Sequence, residues 1–174
     1  LHPRVRRQRQ MCIRDRYQGP VGGFFTLKTT GVRPGRYTVH LLRPNQGEKP
    51  REENLLFCCG DPVDSHIAAR FDRLGCAALA AGGDAGLLVM DEIGPHEQDA
   101  QGFCRAVFQA LDGETPILGV LQRADTPLYA RIANHPQVRL VEVTQENRDG
   151  LAHMPICLRQ EGIACPGPKA KSRP

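Results

Sequence analysis

The residues with the clearest chemical potential are two adjacent acids, Asp91 and Glu92, at the end of the run Leu87-Leu88-Val89-Met90. Four consecutive hydrophobic residues predict a strand buried on both faces, as central parallel strands are. Ligands of open parallel sheets sit beyond the carboxyl ends of the strands, which is where this run delivers its carboxylates. Two acids there cost desolvation unless something offsets it, and a magnesium–phosphate group does. The first carboxylate can hold Mg2+ directly or through water, and the second can orient and polarise an attacking water. Hydrophobic residues followed by such acids form the Walker B pattern. A structural alternative stands beside it: Asp91 and Glu92 cap the element that follows, helped by the turn at Gly94-Pro95.

A Walker B strand works with a phosphate-cradling loop of the form G-x-x-x-x-G-K-[ST]. The nearest match is Gly22-Gly23-Phe24-Phe25-Thr26-Leu27-Lys28-Thr29. It has the Lys-Thr pair, but Leu27 stands where glycine must let backbone N–H groups approach phosphate. Its two Phe and its strand-like composition also contradict a loop that opens into a helix. The segment reads as a decoy. Either the protein uses no such loop, or the loop lies upstream of Tyr17.

The elements that must position the acids are legible from periodicity. Phe24–Thr29 reads as a strand, residues 30–35 as a turn, and Arg36–Arg43 as a second strand, together a β-hairpin. A polar loop and a short strand, Leu55–Cys59, follow. Ile67, Phe71, Leu74, Ala78 and Leu79 recur at helical steps and predict a helix ending near Gly82-Gly83. After the Leu87 strand come a helix carrying Phe103, Val107, Phe108 and Leu111, and a strand at Ile117–Leu121. A short helix around Leu128–Ala133 and a strand at Val138–Val143 complete the series. Alternation of this kind predicts an α/β protein with a three-layer sheet and right-handed crossovers.

Charge and cysteine content exclude several functions. The 174 residues carry a formal net charge of +4, but residues 1–16 hold six Arg against one Asp, and residues 166–174 add three more cations. The body between them is net acidic, so no basic face is expected for nucleic acid. No run approaches the ~20 apolar residues of a membrane span. Seven Cys without a C-x-x-C pair, and six scattered His, fit reduced thiols in a cytoplasmic protein better than a disulfide framework or a zinc site.

Four segments in order, Gly23-Phe24-Phe25-Thr26, Gly35-Arg36, Asp91-Glu92-Ile93-Gly94-Pro95-x-Glu97 and Glu142-Val143-Thr144-x-x-Asn147-Arg148-Asp149, resemble the thermophile-type nucleoside-triphosphatase family. That family includes the cancer-related nucleoside-triphosphatase, and the likeness spans about residues 20–152. It implies a P-loop-type α/β sheet with a β-hairpin, here without the P-loop strand and helix. It implies Mg2+-dependent hydrolysis of ATP, GTP and other nucleoside triphosphates, with such a nucleotide as partner; the charge distribution and the lack of an apolar span already leave no expectation of nucleic acid or membrane. Leu87, Leu88, Val89, Met90, Asp91, Glu92, Ile93 and Gly94 would form a nucleotide-binding segment, with Asp91 on the metal and Glu92 as the catalytic, water-activating residue. Asn147 and Asp149 would contact the base, or Arg148 the phosphates; alternatively Thr144 and Glu146 simply start a helix there. Glu97 is either a further acid near the metal or a first-turn residue. His96 and Gln98 depart from the family, which commonly has Met and Leu at these positions, and His96 reads as a solvent-facing residue rather than a nucleotide contact.

Residues 1–16 alternate Arg, Gln and Pro without helical or strand periodicity and are expected to be a non-native or disordered segment; the likeness makes 17–160 a partial nucleoside-triphosphatase-like domain, and 161–174 reads as a flexible basic tail. Without a Walker A loop the chain is expected to hydrolyse poorly, and its sheet to expose an unpaired edge beside Leu87–Met90. The alternative is a non-catalytic nucleotide-binding or protein-interaction α/β module that uses no such loop. The sequence sets neither base preference nor oligomeric state.

Overall fold

The computed structural model describes residues 17–147, apart from 31, 33, 45 and 60–64. The expectations for residues 1–16 and 161–174, and for Arg148 and Asp149, lie outside the described residues. Five strands form one mixed sheet: β1 (Val21–Thr29), β2 (Thr38–Leu42), β3 (Leu55–Cys58), β4 (Leu87–Ile93) and β5 (Ile117–Leu121), in the spatial order β3-β2-β1-β4-β5. Three helices accompany them: α1 (Ile67–Ala80), α2 (Gln101–Asp112) and α3 (Pro127–Ala133).

The sheet has two characters. The hairpin of β1 and β2 is antiparallel, with Thr26 opposite Leu41, and β3 extends it antiparallel to β2. On its other side β1 runs parallel to β4, pairing Val21 through Phe24 with Leu87 through Met90, and β4 runs parallel to β5. The decoy segment Gly22–Thr29 therefore belongs to a strand, and Lys28 reaches over the Tyr37 ring, 4.9 Å from its centroid.

Strand β4 lies inside the sheet, between β1 and β5, where its apolar side chains are covered: Leu87, Val89 and Met90 are each at most 2% exposed. The unpaired edge expected beside Leu87–Met90 is not there, since β1 and β5 occupy both flanks. Among the described residues the edge strands are β3 and, on the side of β4, β5, one strand further out. Its apolar residues Ile117, Leu118, Val120 and Leu121 are all only half-buried.

Two glycines allow the close approaches. Gly23 adopts φ +86°, and a Cβ there would land on the carbonyl oxygen of Val89, so β1 and β4 could not pair this tightly with another residue. Gly75 gives α1 a flat patch against which the Phe103 ring of α2 seats directly. Phe103 in turn touches Phe24 of β1 edge-on, at 5.6 Å between centroids, and Phe71 of α1 at 5.7 Å. This aromatic trio ties the two helices to the sheet behind the acids.

One expected strand is absent. Residues 138–143 have the composition of a strand but no ladder, and Leu140, Val141 and Val143 are about half exposed. Strand propensity expresses how a side chain suits a pleated, half-buried surface, and it has no effect without a neighbour to pair with. Glu142–Asn147 belong to a separate compact unit from the described residues up to Val141.

Candidate active site

The site begins where the regular ladder of β4 ends. Pairing with β1 stops at Phe24 and Met90, and the register against β5 shifts between Met90 and Ile93. Inside this irregular stretch Glu92 has φ +68°, making it the one residue other than glycine with positive φ among the described residues. A left-handed glutamate in a strand is strained by about 1–3 kcal/mol, and such strain persists only where the surroundings enforce it. The bulge breaks the alternation of β4 and re-aims the Glu92 side chain. Its Oε2 accepts a hydrogen bond from Thr26 Oγ1 of β1 at 3.4 Å. Asp91, one residue earlier, is buried at 8% exposure.

The turn that follows is built by a third acid. Glu97 closes the 3-10 turn Pro95–Glu97, and its Oε2 accepts from the Gly94 N–H at 2.8 Å. Its own carbonyl accepts from Ala100 N at 3.0 Å and from Cys104 Sγ at 3.4 Å, anchoring the turn to α2. Burial pushes the Glu97 carboxyl up to about 7; the Gly94 N–H opposes this, and the nearby Glu92 charge adds to it. Of the two roles open to Glu97, the hydrogen bond to Gly94 gives it the turn-building one.

The remaining expected site residues fall into three groups. Leu87, Leu88, Val89 and Met90 turn their side chains into the core and serve as the rail that carries the acids. Ile93 and Gly94 lead out of the strand beside β5: the Ile93 carbonyl accepts from Gln122 N at 2.8 Å, and a Cβ on Gly94 would stand 2.7 Å from Gln122 Oε1. Asn147 belongs to the separate unit. There its Oδ1 accepts from Thr144 N at 2.8 Å and its Nδ2 donates to the Glu142 carbonyl at 2.8 Å, a closed local turn. His96 is exposed, as expected, but its ring also lies 4.9 Å from that of Phe57 on β3.

Thr26 and Gln122 received no role from the sequence. Both depend on which strand lies beside which, and only the spatial order of the sheet discloses that. Beyond the carboxyl end of β5, Arg123, Asp125, Thr126 and Tyr129 line an open depression of about 530 Å3. It lies past the carboxyl end of the strand neighbouring β4, the usual side for a ligand in such sheets.

Among the described residues no group of three or more His, Cys, Asp or Glu could hold a metal by itself. That donor set still suits Mg2+, which typically takes one or two protein carboxylates together with substrate phosphates and water. Asp91 is the acid that could supply such an oxygen, whereas Glu97 Oε2 accepts from the Gly94 N–H.

A family model described as NTPase matches residues 17–154, most of the chain. The chain is 29% identical over 140 residues to the nucleoside-triphosphatase THEP1 of Methanosarcina barkeri, covering 80% of this chain and 64% of that protein. It is 30% identical over 140 residues to the protein of the same name from Methanosarcina acetivorans, covering 80% and 63%. It therefore spans a little under two thirds of these relatives. The fold is similar to the crystal structure of THEP1 from the hyperthermophile Aquifex aeolicus, with a TM-score of 0.60 at 21% identity, over 84% of this chain and 87% of that one. With its mixed five-stranded sheet and the acids at the carboxyl end of β4, the chain belongs to the thermophile-type nucleoside-triphosphatase family.

Proposed function

We propose that this chain forms the metal- and water-handling part of a Mg2+-dependent nucleoside-triphosphatase that converts ATP, GTP and related nucleotides to the diphosphate and phosphate. The observation that carries this reading is the pair of acids at the carboxyl end of a buried parallel strand. The first is buried, and the second is held left-handed at a bulge. Nothing in core packing calls for a strained glutamate there, whereas a reaction that needs a carboxylate at a fixed place does.

Asp91 is the residue that would ligate Mg2+. When bound, the ion neutralises charge on the phosphate oxygens. Glu92 orients the attacking water and accepts its proton as the bond to the γ-phosphorus forms. Hydrolysis of this kind is governed by positioning and electrostatics, so a rigid carboxylate contributes more than a basic one. Glu97 keeps the Gly94 turn closed beneath the site. The segment Leu87–Gly94 binds the nucleotide through its carboxyl-terminal end.

The residues matched by the family model, 17–154, carry this activity, in the cytoplasm. No helix among the described residues is long and apolar enough to cross a membrane. The 174 residues contain no G-x-x-x-x-G-K-[ST] sequence. A chain without that cradle is expected to release phosphate slowly or not at all. The test is phosphate release from MgATP and MgGTP by the purified chain, alongside Asp91→Asn and Glu92→Gln. Slow release lost in both variants supports the reading. Release at a rate typical of the family, unaffected by Glu92→Gln, would refute it.

A further inference from the structure

The β1–β4 ladder ends at the pair Phe24 and Met90. Two residues further along each strand, a side-chain contact takes the place of backbone pairing: the Thr26 hydroxyl donates to Glu92 Oε2 at 3.4 Å. Thr26 is only 4% exposed and is held from its other side by pairing with Leu41. A hydroxyl buried that deeply costs stability unless it finds a partner, and valine would fill the same space in a strand at no such cost. The hydroxyl is therefore accounted for by the acid it reaches.

The two partners differ in stiffness. Thr26 is β-branched, so its χ1 is restricted and the direction of its hydroxyl follows from the backbone of β1. Glu92 has a long side chain and sits on the irregular part of β4, where ladder pairing no longer defines its direction. A stiff donor on a regular strand can fix what a bulged strand leaves loose. A separation of 3.4 Å is long for this bond, and hydrogen bonds of catalytic groups are often long in the free protein and tighten in the substrate complex.

We propose that Thr26 is a positioning residue for Glu92: its hydroxyl anchors Oε2, selects one rotamer of the side chain, and so sets the direction from which the carboxylate meets the attacking water. The proposal rests on the reading of Glu92 as the water-orienting residue.

The test uses the full chain and two substitutions, Thr26→Val, which keeps the shape and removes the donor, and Thr26→Ser, which keeps the donor. Three-bond couplings that report χ1 of Glu92 are measured by NMR. The expected result is a single staggered rotamer in the wild-type protein and in Thr26→Ser, and couplings averaged over rotamers in Thr26→Val. Averaged couplings in the wild type itself, or an unchanged single rotamer in Thr26→Val, would overturn the proposal, and the wild-type measurement needs no variant to fold. In the phosphate-release assay Thr26→Val should lower kcat about tenfold at unchanged KM, with Thr26→Ser restoring it. An unchanged kcat in Thr26→Val, alongside an inactive Glu92→Gln, would also overturn it. Wild-type turnover in Glu92→Gln would remove the catalytic reading of that acid, while the couplings would still decide whether Thr26 holds it. They decide at whatever turnover the chain shows.

Discussion

Replacing Glu97 with glutamine should remove a pH dependence of stability that the wild-type protein carries. In the folded chain Glu97 is 5% exposed, and burial, with a contribution from the Glu92 charge, raises its carboxyl from the ordinary 4.5 to about 7. In the unfolded chain it returns to the ordinary value. Between those two pH values the folded protein holds a proton that the unfolded chain has already lost. Stability from this group is therefore fully present below about 4.5 and is lost as pH rises through about 7. At roughly 1.4 kcal/mol per pKa unit, the swing is on the order of 3 kcal/mol. Glutamine keeps the shape, and its carbonyl oxygen can still accept from Gly94 N–H, but it cannot ionise. Urea unfolding at pH 5 and pH 8 isolates the effect, because every other titrating group is shared by the two proteins. Glu97→Gln should match or fall slightly below the wild type at pH 5 and exceed it by a few kcal/mol at pH 8. A difference between the two that stays constant across this range would refute the assignment of a buried, proton-holding acid to this turn.

Three further expectations concern the frame around the site. Asp72 of α1 accepts from Phe103 N at 2.8 Å, which satisfies a first-turn amide of α2 that lacks an intrahelical partner; Asp72→Ala should cost about 1–2 kcal/mol, with Asp72→Asn recovering part of it, read from the urea midpoint. Gly75→Ala should destabilise by about 1–3 kcal/mol in the same assay, because the overpacking against Phe103 outweighs the better helix propensity of alanine, worth about 1 kcal/mol. Val120 lies outside the core cluster that takes Ile117 and Leu121 from the same strand, so Val120→Lys places a charge on the open edge of β5 without disturbing that packing. The wild-type chain should associate with rising concentration in sedimentation velocity and Val120→Lys much less; a wild-type monomer at all concentrations would show that this edge recruits nothing.

The elements that could be read in advance are those whose burial is written into consecutive residues. Leu87–Met90 has no polar face to offer solvent, so its place inside the sheet, with a strand on either side, follows from composition alone. Phe71, Ala78 and Leu79 mark the inner face of α1 in the same way, and all three are buried. Residues 138–143 show where such reading stops. Their pattern suits a strand, but a strand exists only through a neighbour, and which neighbours are present is a property of the sheet. The same reason moves the open edge from β4 to β5. A list of strands in sequence does not contain their spatial order: β2 and β3 lie in sequence between two strands, β1 and β4, that are adjacent in space.

The site divides along the same line. The placement of Asp91 and Glu92 at the carboxyl end of β4 is legible because adjacent acids after an apolar run are costly wherever they end up. The role of Thr26 was not legible, since a threonine in a strand is ordinary and its meaning depends on Glu92, 66 residues later. Nor was the left-handed φ of Glu92, because glutamate carries no preference for it and the bulge arises from the fit of β4 against β5. These two hidden features bear on one side chain. The bulge turns Glu92 out of the ladder, and the hydroxyl of the neighbouring strand supplies a fixed point that the ladder no longer provides. A strained backbone and a buried donor each cost stability, and at any other position of this sheet a regular strand with valine at position 26 would be the more stable choice. Both features, the positive φ and the buried donor, belong to Glu92, and the proposed role of that acid rests on their coincidence.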